Sequence, residues 1–304
     1  MTPEANAVLQ TIGTALDEQQ PLQVRVDGVV ALRTSVQQQE KFHERQRKSR
    51  SATRSRSGSA GGKRATGGSR QTGASSRLGS DDLRESYEGH LADLLHAYPS
   101  TRTFDDEVGM WLLARSSILE GLTREARFLV TVPYRAGIPP RAWGFWVSGC
   151  NTQWIGPRHT NFQDGSICAF APSDNAWREG DKLSTLLDLY SVWALRHLHL
   201  EVLGRWPGKQ YGLSGVNPVI DAFYRSRECQ DDELCGCGSE TLRYAECCKS
   251  SDRHLNFVQA AGEFRARIPG GFGSRRPPAA IVSFMEGRSE IPKIAEVHLQ
   301  MSCP

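Results

Sequence analysis

Residues 158–170 read RHTNFQDGSICAF and supply the pattern from which the fold and a reactive residue can be inferred. They lie in a stretch, residues 148–182, that is rich in Gly, Asn, Asp and Pro. A long loop inside a compact domain is either functional or a sign of a wrong assignment. A free Cys is most often a small buried hydrophobic residue. The loop setting and the polar residues before Cys168 favour a nucleophilic thiol instead.

The segments on either side of this loop predict an antiparallel sheet with helices. A helix is expected to start at Ser80, whose side chain can cap it, and to end before Pro99. Apolar runs of strand length follow, and after the loop comes a helix that ends before Gly204. The predicted strands are Met110–Leu119, Arg127–Tyr134 and Trp143–Val147, and the long helix is Leu183–Leu203. This order predicts an α+β fold with helices packed on one side of the sheet.

Several short motifs, in this order and spacing, resemble those of the ubiquitin-conjugating enzymes over about residues 81–210. Those enzymes carry His-Pro-Asn, a turn and then Gly-x-Ile-Cys, whose Cys is the nucleophile. This chain has His-Thr-Asn at 159–161 and Gly-Ser-Ile-Cys at 165–168. The segment from Tyr134 to Pro140 is similar to the family's Tyr-Pro-x-x-Pro-Pro motif, and Trp177 matches a Trp that opens the crossover helix. Each motif is weak alone, but their order and spacing together are specific.

The resemblance implies the ubiquitin-conjugating-enzyme fold, which has an N-terminal helix, a β-meander, a catalytic loop and a long crossover helix. It also implies a cysteine acyltransferase, in which Cys168 accepts an activated C-terminal carboxyl group as a thioester and passes it to an amine. Asn161 takes the family's role as oxyanion donor or as holder of the loop, with a turn-forming Asn as the alternative. His159 is implied to bond the loop backbone and not to act as a general base.

Two departures from the family pattern concern the transfer step. Thr160 replaces the family's Pro, which makes the local turn less rigid. No acidic residue matches the one that many members place near the incoming amine, and the nearby candidates are Asp164, Asp174 and Asp181. The motifs therefore support thioester formation more strongly than amine transfer.

The loop sequence Gly-Ser-Ile-Cys-x-Phe and the later Trp-Pro-Gly at 206–208 look more like bacterial members of antiphage defence islands (CBASS) than like eukaryotic members. The resemblance implies a partner that offers its C-terminus, either a ubiquitin-like protein or a cGAS-like nucleotidyltransferase. A separate activating enzyme is expected, because no Gly-rich phosphate loop follows a predicted strand. No organic cofactor is implied.

A second group of residues has the spacing of metal ligands, within fourteen positions. It consists of Cys235, Cys237, Cys247 and Cys248. Four thiolates this close suit tetrahedral zinc with no open position, which predicts a structural site, with unliganded thiols as the alternative. The pattern resembles the SEC-C motif, with Tyr244 as its aromatic residue and a spacer one residue longer than usual. Cys229 is a poorer ligand candidate. We expect a knuckle that binds protein or nucleic acid.

Positive charge is concentrated in one tract. Ten of the 37 Lys and Arg lie in residues 45–78, which hold no Asp or Glu, so 27 basic residues face 34 acidic ones elsewhere. The Ser, Arg and Gly content predicts a disordered linker over residues 41–80. A soluble linker is the preferred interpretation, and weak contact with nucleic acid through residues 45–78 is the alternative.

The sequence thus predicts five parts. They are a short N-terminal segment with a possible docking role (1–40), the basic linker (41–80), a ubiquitin-conjugating-like domain (81–215), a zinc motif (216–250) and a C-terminal segment without a motif (251–304). In the first part, Val8, Ile12 and Leu16 predict a short helix. In the last, Ala279–Phe284 predicts a strand.

The sequence indicates a cytoplasmic protein. No apolar run approaches the ~20 residues needed to span a bilayer, and no signal peptide is evident. The cysteine spacing suits metal binding in a reducing compartment better than a disulfide framework. Two rival hypotheses remain open: a catalytically inactive adaptor with the same fold, and a nucleic-acid-associated zinc-knuckle protein.

Overall fold

The computed structural model describes residues 1–33, 80–170, 174–213 and 217–299. The basic tract 45–78 and nearly all of the predicted linker 41–80 lie outside these ranges. The linker and its nucleic-acid contact therefore stay predictions. Across the described ranges, every helix falls short of the length and apolar character that crossing a membrane requires.

The chain forms a helix and a small hairpin, two short helices, a meander of strands, one long helix and then a series of short helices. The helices are α1 (Pro3–Asp17), α2 (Ser80–Gly89), α3 (Leu91–Ala97), α4 (Leu183–Leu203), α5 (Pro218–Glu228), α6 (Lys249–Asp252), α7 (Phe257–Arg267), α8 (Ala279–Met285) and α9 (Ile294–Leu299). The strands are β1 (Leu22–Val24), β2 (Val30–Leu32), β3 (Arg102–Asp106), β4 (Gly109–Ser116), β5 (Glu125–Pro133), β6 (Arg141–Ser148) and β7 (Asn151–Trp154).

The main sheet is an antiparallel meander in the order β3-β4-β5-β6-β7, and β1 and β2 form a separate hairpin. β4 and β5 pair from Gly109↔Pro133 to Ser116↔Ala126. The prediction of an α+β fold with an antiparallel sheet is confirmed. Strands β3 and β7 are not predicted by the sequence, because these short edge strands contain no fully buried residue and their polar sequences resemble loops.

Helices cover both faces of this sheet, which corrects the prediction that they pack on one side. Leu112 lies in the main core together with α4, whereas Trp111 and Trp143 lie in a second cluster with Ile281 of α8 and Ile294 of α9. Neighbouring residues of a strand point to opposite faces, so β4 presents large apolar side chains on both sides. Burying each contributes roughly 1.5–3 kcal/mol, and α8 and α9 supply the cover on the second face.

The segment Ala279–Phe284 is helical and forms most of α8, so its prediction as a strand is wrong. A short apolar run cannot be assigned to helix or strand from periodicity alone. Pro278 stands just before the helix, and two alanines, which are strong helix formers, follow it. Ile281 and Met285, four residues apart, then lie on one helical face against the second cluster.

The helix predicted from Ser80 to before Pro99 is divided into α2 and α3, with a break at His90. Gly89 lies at this break, and Gly is a poor helix former. The buried residues Leu83, Tyr87 and Leu94 still face the main core.

The long helix α4 is central to the main core. It ends at Gly204, whose φ of 76° is the left-handed conformation that the sequence predicts for this glycine. Helix α1 packs against α4, and Leu9, Ile12 and Leu16 join the same core. Val8, which the sequence places on the apolar face, is 49% exposed, and Leu9 takes its place.

Candidate active site and metal centre

Cys168 lies at the end of a narrow hairpin formed by residues 159–168, which we call the Cys168 hairpin. Thr160 and Ile167 form an antiparallel bridge. The Cys168 N–H donates to the His159 carbonyl at 3.0 Å, and the Ile167 N–H donates to the Ala142 carbonyl of β6 at 2.7 Å. The hairpin is thus anchored to the sheet, and it brings two of the three predicted catalytic residues into direct backbone contact.

The Asn161 side chain holds the turn of the hairpin. Its Nδ2 donates to Ser166 Oγ at 2.9 Å and lies 3.5 Å from the Ile167 carbonyl. The backbone of Asn161 accepts from the Gly165 N–H at 2.9 Å, and Gly165 has a φ of 64°. A glycine adopts this left-handed conformation without strain. These are the contacts of a residue that fixes the loop, and the 3.5 Å contact is the weaker of the two.

Asp164 stabilises the same turn from inside. Its carboxylate accepts from the Ser166 hydroxyl at 2.8 Å and pairs with Arg141 of β6 at 2.7 Å. The Trp143 indole donates to the Asp164 carbonyl at 2.8 Å. Asp164 is 3% exposed, so this carboxylate is committed to holding the hairpin and is poorly placed to receive an amine proton.

His159 is packed as a structural residue. Its ring stacks on Trp206 with 4.0 Å between centroids, and its Nε2 lies 3.3 Å from Gln210 Oε1. Burial, and then the positive charge of Arg158, hold the pKa of His159 well below its usual range. The ring is therefore neutral near pH 7, with Nε2 as the donor to the Gln210 oxygen.

Helix α4 holds the start of the hairpin by two backbone carbonyls. Trp193 Nε1 donates to the His159 carbonyl, and His197 Nε2 lies by the Arg158 carbonyl, each at 2.8 Å. Neither residue is predicted from the sequence to belong to the site. Their four-residue spacing, which puts both on one helical face, is the signal that could have found them.

We expect the buried His197 to make the protein less stable in acid. Burial lowers the pKa of His197 to about 3, against about 6.5 in an unfolded chain. Between these values the unfolded state binds the extra proton, so stability is full above pH 6.5 and is lost as the pH falls. The slope approaches 1.4 kcal/mol per pH unit. Denaturant unfolding from pH 7 to 4 should show a smaller loss in His197→Gln than in the wild type. The matched control is His96→Gln, at an exposed position of α3, which should keep the wild-type slope.

The Cys168 side chain is exposed, so a partner can reach it. The surrounding protein still desolvates the thiol enough to raise its pKa. The exposed part of the side chain lets a partner reach Cys168, while the protein around the sulfur disfavours the charged thiolate, so the two observations are compatible. The thiol is therefore mostly protonated near neutral pH and reacts through a small thiolate fraction.

Alkylation of Cys168 should reflect this raised pKa. Mass spectrometry of peptides after iodoacetamide treatment should show a rate that keeps rising with pH beyond the point, near pH 8.5, where a free cysteine peptide levels off. At pH 7 the rate should lie below that of the peptide. An inflection below that of the peptide would mean an electropositive, activated thiol and would contradict the desolvation account.

The other predicted carboxylates and the predicted Trp lie away from the hairpin's hydrogen bonds. Asp174 accepts from the Tyr211 hydroxyl. Asp181 accepts from the Arg178 N–H at 2.8 Å within its own turn. Trp177 is 7% exposed, lies in the main core and donates to the Lys182 carbonyl.

A buried ion pair connects the residue before the hairpin to the cysteine cluster. Arg158 donates to both carboxylate oxygens of Glu233, at 2.7 Å through Nη1 and through a second, shorter contact of Nη2. The Glu233 side chain is fully buried and that of Arg158 is 8% exposed. Gln210 joins the pair, since it accepts from Arg158 and donates to Glu233. Glu233 lies two residues before Cys235.

Helix α7 and the residues that follow it pack directly on the hairpin. Phe162 lies edge-on to Phe264 and Phe272 with centroids 5.5 and 5.7 Å apart. The Arg275 guanidinium lies over the Phe162 ring, 4.4 Å from its centroid. A Cβ on Gly165 would come within 2.7 Å of the Arg276 backbone, so only glycine fits at this close approach.

The four predicted metal ligands come together. The sulfurs of Cys235, Cys237, Cys247 and Cys248 all lie within 4.8 Å of one another. Two of these separations are 3.7 and 3.8 Å, too long for the ~2.05 Å of a disulfide. A tetrahedral site with Zn–S bonds of about 2.3 Å has sulfurs about 3.8 Å apart, so the cluster is compatible with zinc.

Backbone hydrogen bonds shape this knuckle. The Cys235 N–H donates to the Leu242 carbonyl at 3.0 Å, and the Cys247 N–H donates to the Tyr244 carbonyl at 3.2 Å. A Cβ at Gly236 would lie 2.8 Å from the sulfur of Cys229. Cys229 thus packs behind the knuckle, outside the group of four sulfurs.

This chain matches no protein-family model, no curated protein and no solved structure. Its function is therefore inferred from its motifs and from the geometry of the hairpin and the cysteine cluster.

Proposed function

We propose that this chain is a ubiquitin-conjugating-enzyme-like acyltransferase in which Cys168 holds a protein C-terminus as a thioester. The fold order supports this proposal, since short helices, an antiparallel meander, the Cys168 hairpin and the long helix α4 follow one another as in that family. The ubiquitin-conjugating fold itself is part of the proposal.

One observation carries it. The exposed Cys168 is held by the backbone of His159, and the turn between them is fixed by the Asn161 side chain. The motif residues that lie seven and nine positions before Cys168 in the sequence therefore form one hydrogen-bonded unit with it. A cysteine that only filled space in the core would need neither the exposure nor this frame.

The proposed reaction is a thioester exchange. The Cys168 thiolate attacks the carbonyl carbon of a thioester on an activating enzyme, which forms a new C–S bond. The tetrahedral oxyanion is stabilised by a donor, for which Asn161 Nδ2 is the candidate. The old C–S bond then breaks, and the activating enzyme's cysteine leaves as a thiolate. In the second step an acceptor amine attacks, loses a proton and releases the Cys168 thiolate.

The proposed donor is the C-terminus of a ubiquitin-like protein or of a cGAS-like nucleotidyltransferase, in bacterial antiviral defence in the cytoplasm. The exposed thiol suits a substrate that arrives as an extended tail. Amine transfer has less support, because Asp164, Asp174 and Asp181 all accept hydrogen bonds elsewhere. An adaptor with the same fold and no transfer activity is therefore the second candidate.

We further propose that the cysteine cluster holds one structural zinc ion. Four protein thiolates fill a tetrahedral zinc and leave no position for a substrate. Such an ion stabilises a small segment that lacks a hydrophobic core of its own.

The test is adduct formation on the purified chain. The chain is incubated with ATP, the activating enzyme and the candidate modifier, and is then run on gels with and without reducing agent. The acyltransferase predicts a covalent adduct that thiols remove. A stable non-covalent complex with no adduct would instead support the adaptor.

A further inference from the structure

Glu233 contacts three residues that border His159 at the base of the Cys168 hairpin. Its carboxylate binds Arg158, the residue before His159. It accepts from the backbone N–H of Trp206 at 2.6 Å, and Trp206 stacks on His159. It also accepts from Gln210 Nε2 at 3.2 Å, and Gln210 faces His159 Nε2. A single buried carboxylate thus fixes three neighbours of one hairpin residue.

The same residue belongs to the frame of the cysteine knuckle. The Glu233 carbonyl accepts from the Tyr244 N–H at 2.8 Å, and the next residue, Leu234, forms an antiparallel bridge with Arg243. Cys235 follows directly and is completely buried. The position of the Glu233 carboxylate therefore depends on the shape of the knuckle that the four cysteines close.

Burial makes this connection rigid. A buried carboxylate that binds a guanidinium at two points has few alternative arrangements, because any other one leaves a charge without a partner. Movement of the knuckle must then move Arg158 together with its backbone carbonyl, which His197 contacts.

We infer that Glu233 is a positioning residue that transmits metal loading of the cysteine cluster to the conformation of the Cys168 hairpin. This rests on the proposed function for its catalytic meaning, but the conformational link can be measured without any reaction. The metal-loaded knuckle fixes the position of Glu233, and Glu233 fixes the position of Arg158. Arg158 in turn fixes the position of His159, the first residue of the hairpin. Removal of the metal releases the hairpin while the sheet stays folded.

The test uses Glu233→Gln in the full chain, because glutamine keeps the shape and removes the charge. Metal analysis should show that zinc is retained, since the ligands and the Tyr244 N–H bond are intact. Hydrogen exchange should become about tenfold faster or more at the N–H groups of Asn161, Gly165 and Cys168, as expected when a buried hydrogen-bonded group loses its partner. The N–H groups of β4 and β5 should keep their protection.

Asp252→Asn is the matched control. Asp252 is 2% exposed, lies four residues after Cys248 and pairs with Arg225 of α5 at 2.7 Å. It is a buried ion pair beside the same knuckle, but its partner is Arg225 of α5 and not Arg158 at the entry of the hairpin. This variant should leave exchange in the hairpin at the wild-type rate.

Chelation completes the test. Removing zinc from the wild type should speed exchange in the hairpin, and chelation of Glu233→Gln should add little, because the link is already broken. The inference is overturned if Glu233→Gln leaves hairpin exchange unchanged, if Asp252→Asn speeds it equally, or if chelation acts equally on both proteins. Adduct formation is scored separately, so an absent adduct with intact coupling refutes only the acyltransferase.

Discussion

Cys168→Ala should abolish the covalent adduct entirely, since the substitution removes the atom that forms the new bond. Cys168→Ser should trap the partner as an oxyester that reducing agents do not cleave, because the C–S bond is replaced by a C–O bond. Gels with and without a thiol distinguish the three outcomes. Intact mass should place the adduct at the sum of the two proteins less one water.

Cys150→Ala is the control for this experiment. Cys150 is the other exposed cysteine outside the metal cluster among the residues that the structure describes, and it lies in the turn between β6 and β7. Its removal should leave the adduct unchanged. An adduct that survives in Cys168→Ala and disappears in Cys150→Ala would show that the reactive residue has been assigned wrongly.

The second large effect is expected from losing the metal cluster. Freshly purified protein should contain about one zinc per chain. Cys235→Ser combined with Cys248→Ser should lose it and expose the knuckle, residues 229–252, to fast hydrogen exchange and proteolysis, whereas α5 and α7 keep their own apolar cluster. Structural zinc contributes roughly 10–16 kcal/mol of apparent binding free energy in small zinc-finger peptides, which is comparable to the roughly 5–15 kcal/mol by which a typical domain is stable.

Cys229→Ser provides the comparison. Its sulfur lies behind Gly236 and outside the group of four, so zinc content should not change. Zinc that is absent from the freshly purified wild type, or retained in the double variant, would refute the structural zinc site.

Local sequence patterns predicted the central part of the fold. The strands around Trp111, Leu129 and Trp143 and the long helix α4 have strong apolar patterns, and each was expected close to its observed position. The edge strands β3 and β7 were missed because each contributes only one large apolar side chain, Phe104 or Trp154, to the second cluster. Helix α8 was misassigned as a strand because a short apolar run does not distinguish a helix from a strand. Its helical face is buried only by the second face of the sheet, which lies far away in the sequence.

The candidate site was predicted only where its residues are close in sequence. The hairpin motif and the four cysteines have fixed spacings, so both groups could be recognised. The Arg158–Glu233 pair joins residues 75 positions apart, and no local pattern marks either as a partner of the other. Phe162 likewise has the sequence context of an ordinary loop aromatic, because the residues that pack against it, Phe264 and Phe272, lie far along the chain.

The packing of α7 and the residues after it on the hairpin has a consequence for synthesis. Gly165 rests against Arg276, and Phe162 against Phe264 and Phe272. At about 5–20 residues per second, the ribosome needs roughly 5–20 s to pass from one partner to the other. Contacts so distant in the chain form late in folding. The nascent protein therefore exposes the Cys168 thiol before residues 264–276 can make their contacts with the hairpin.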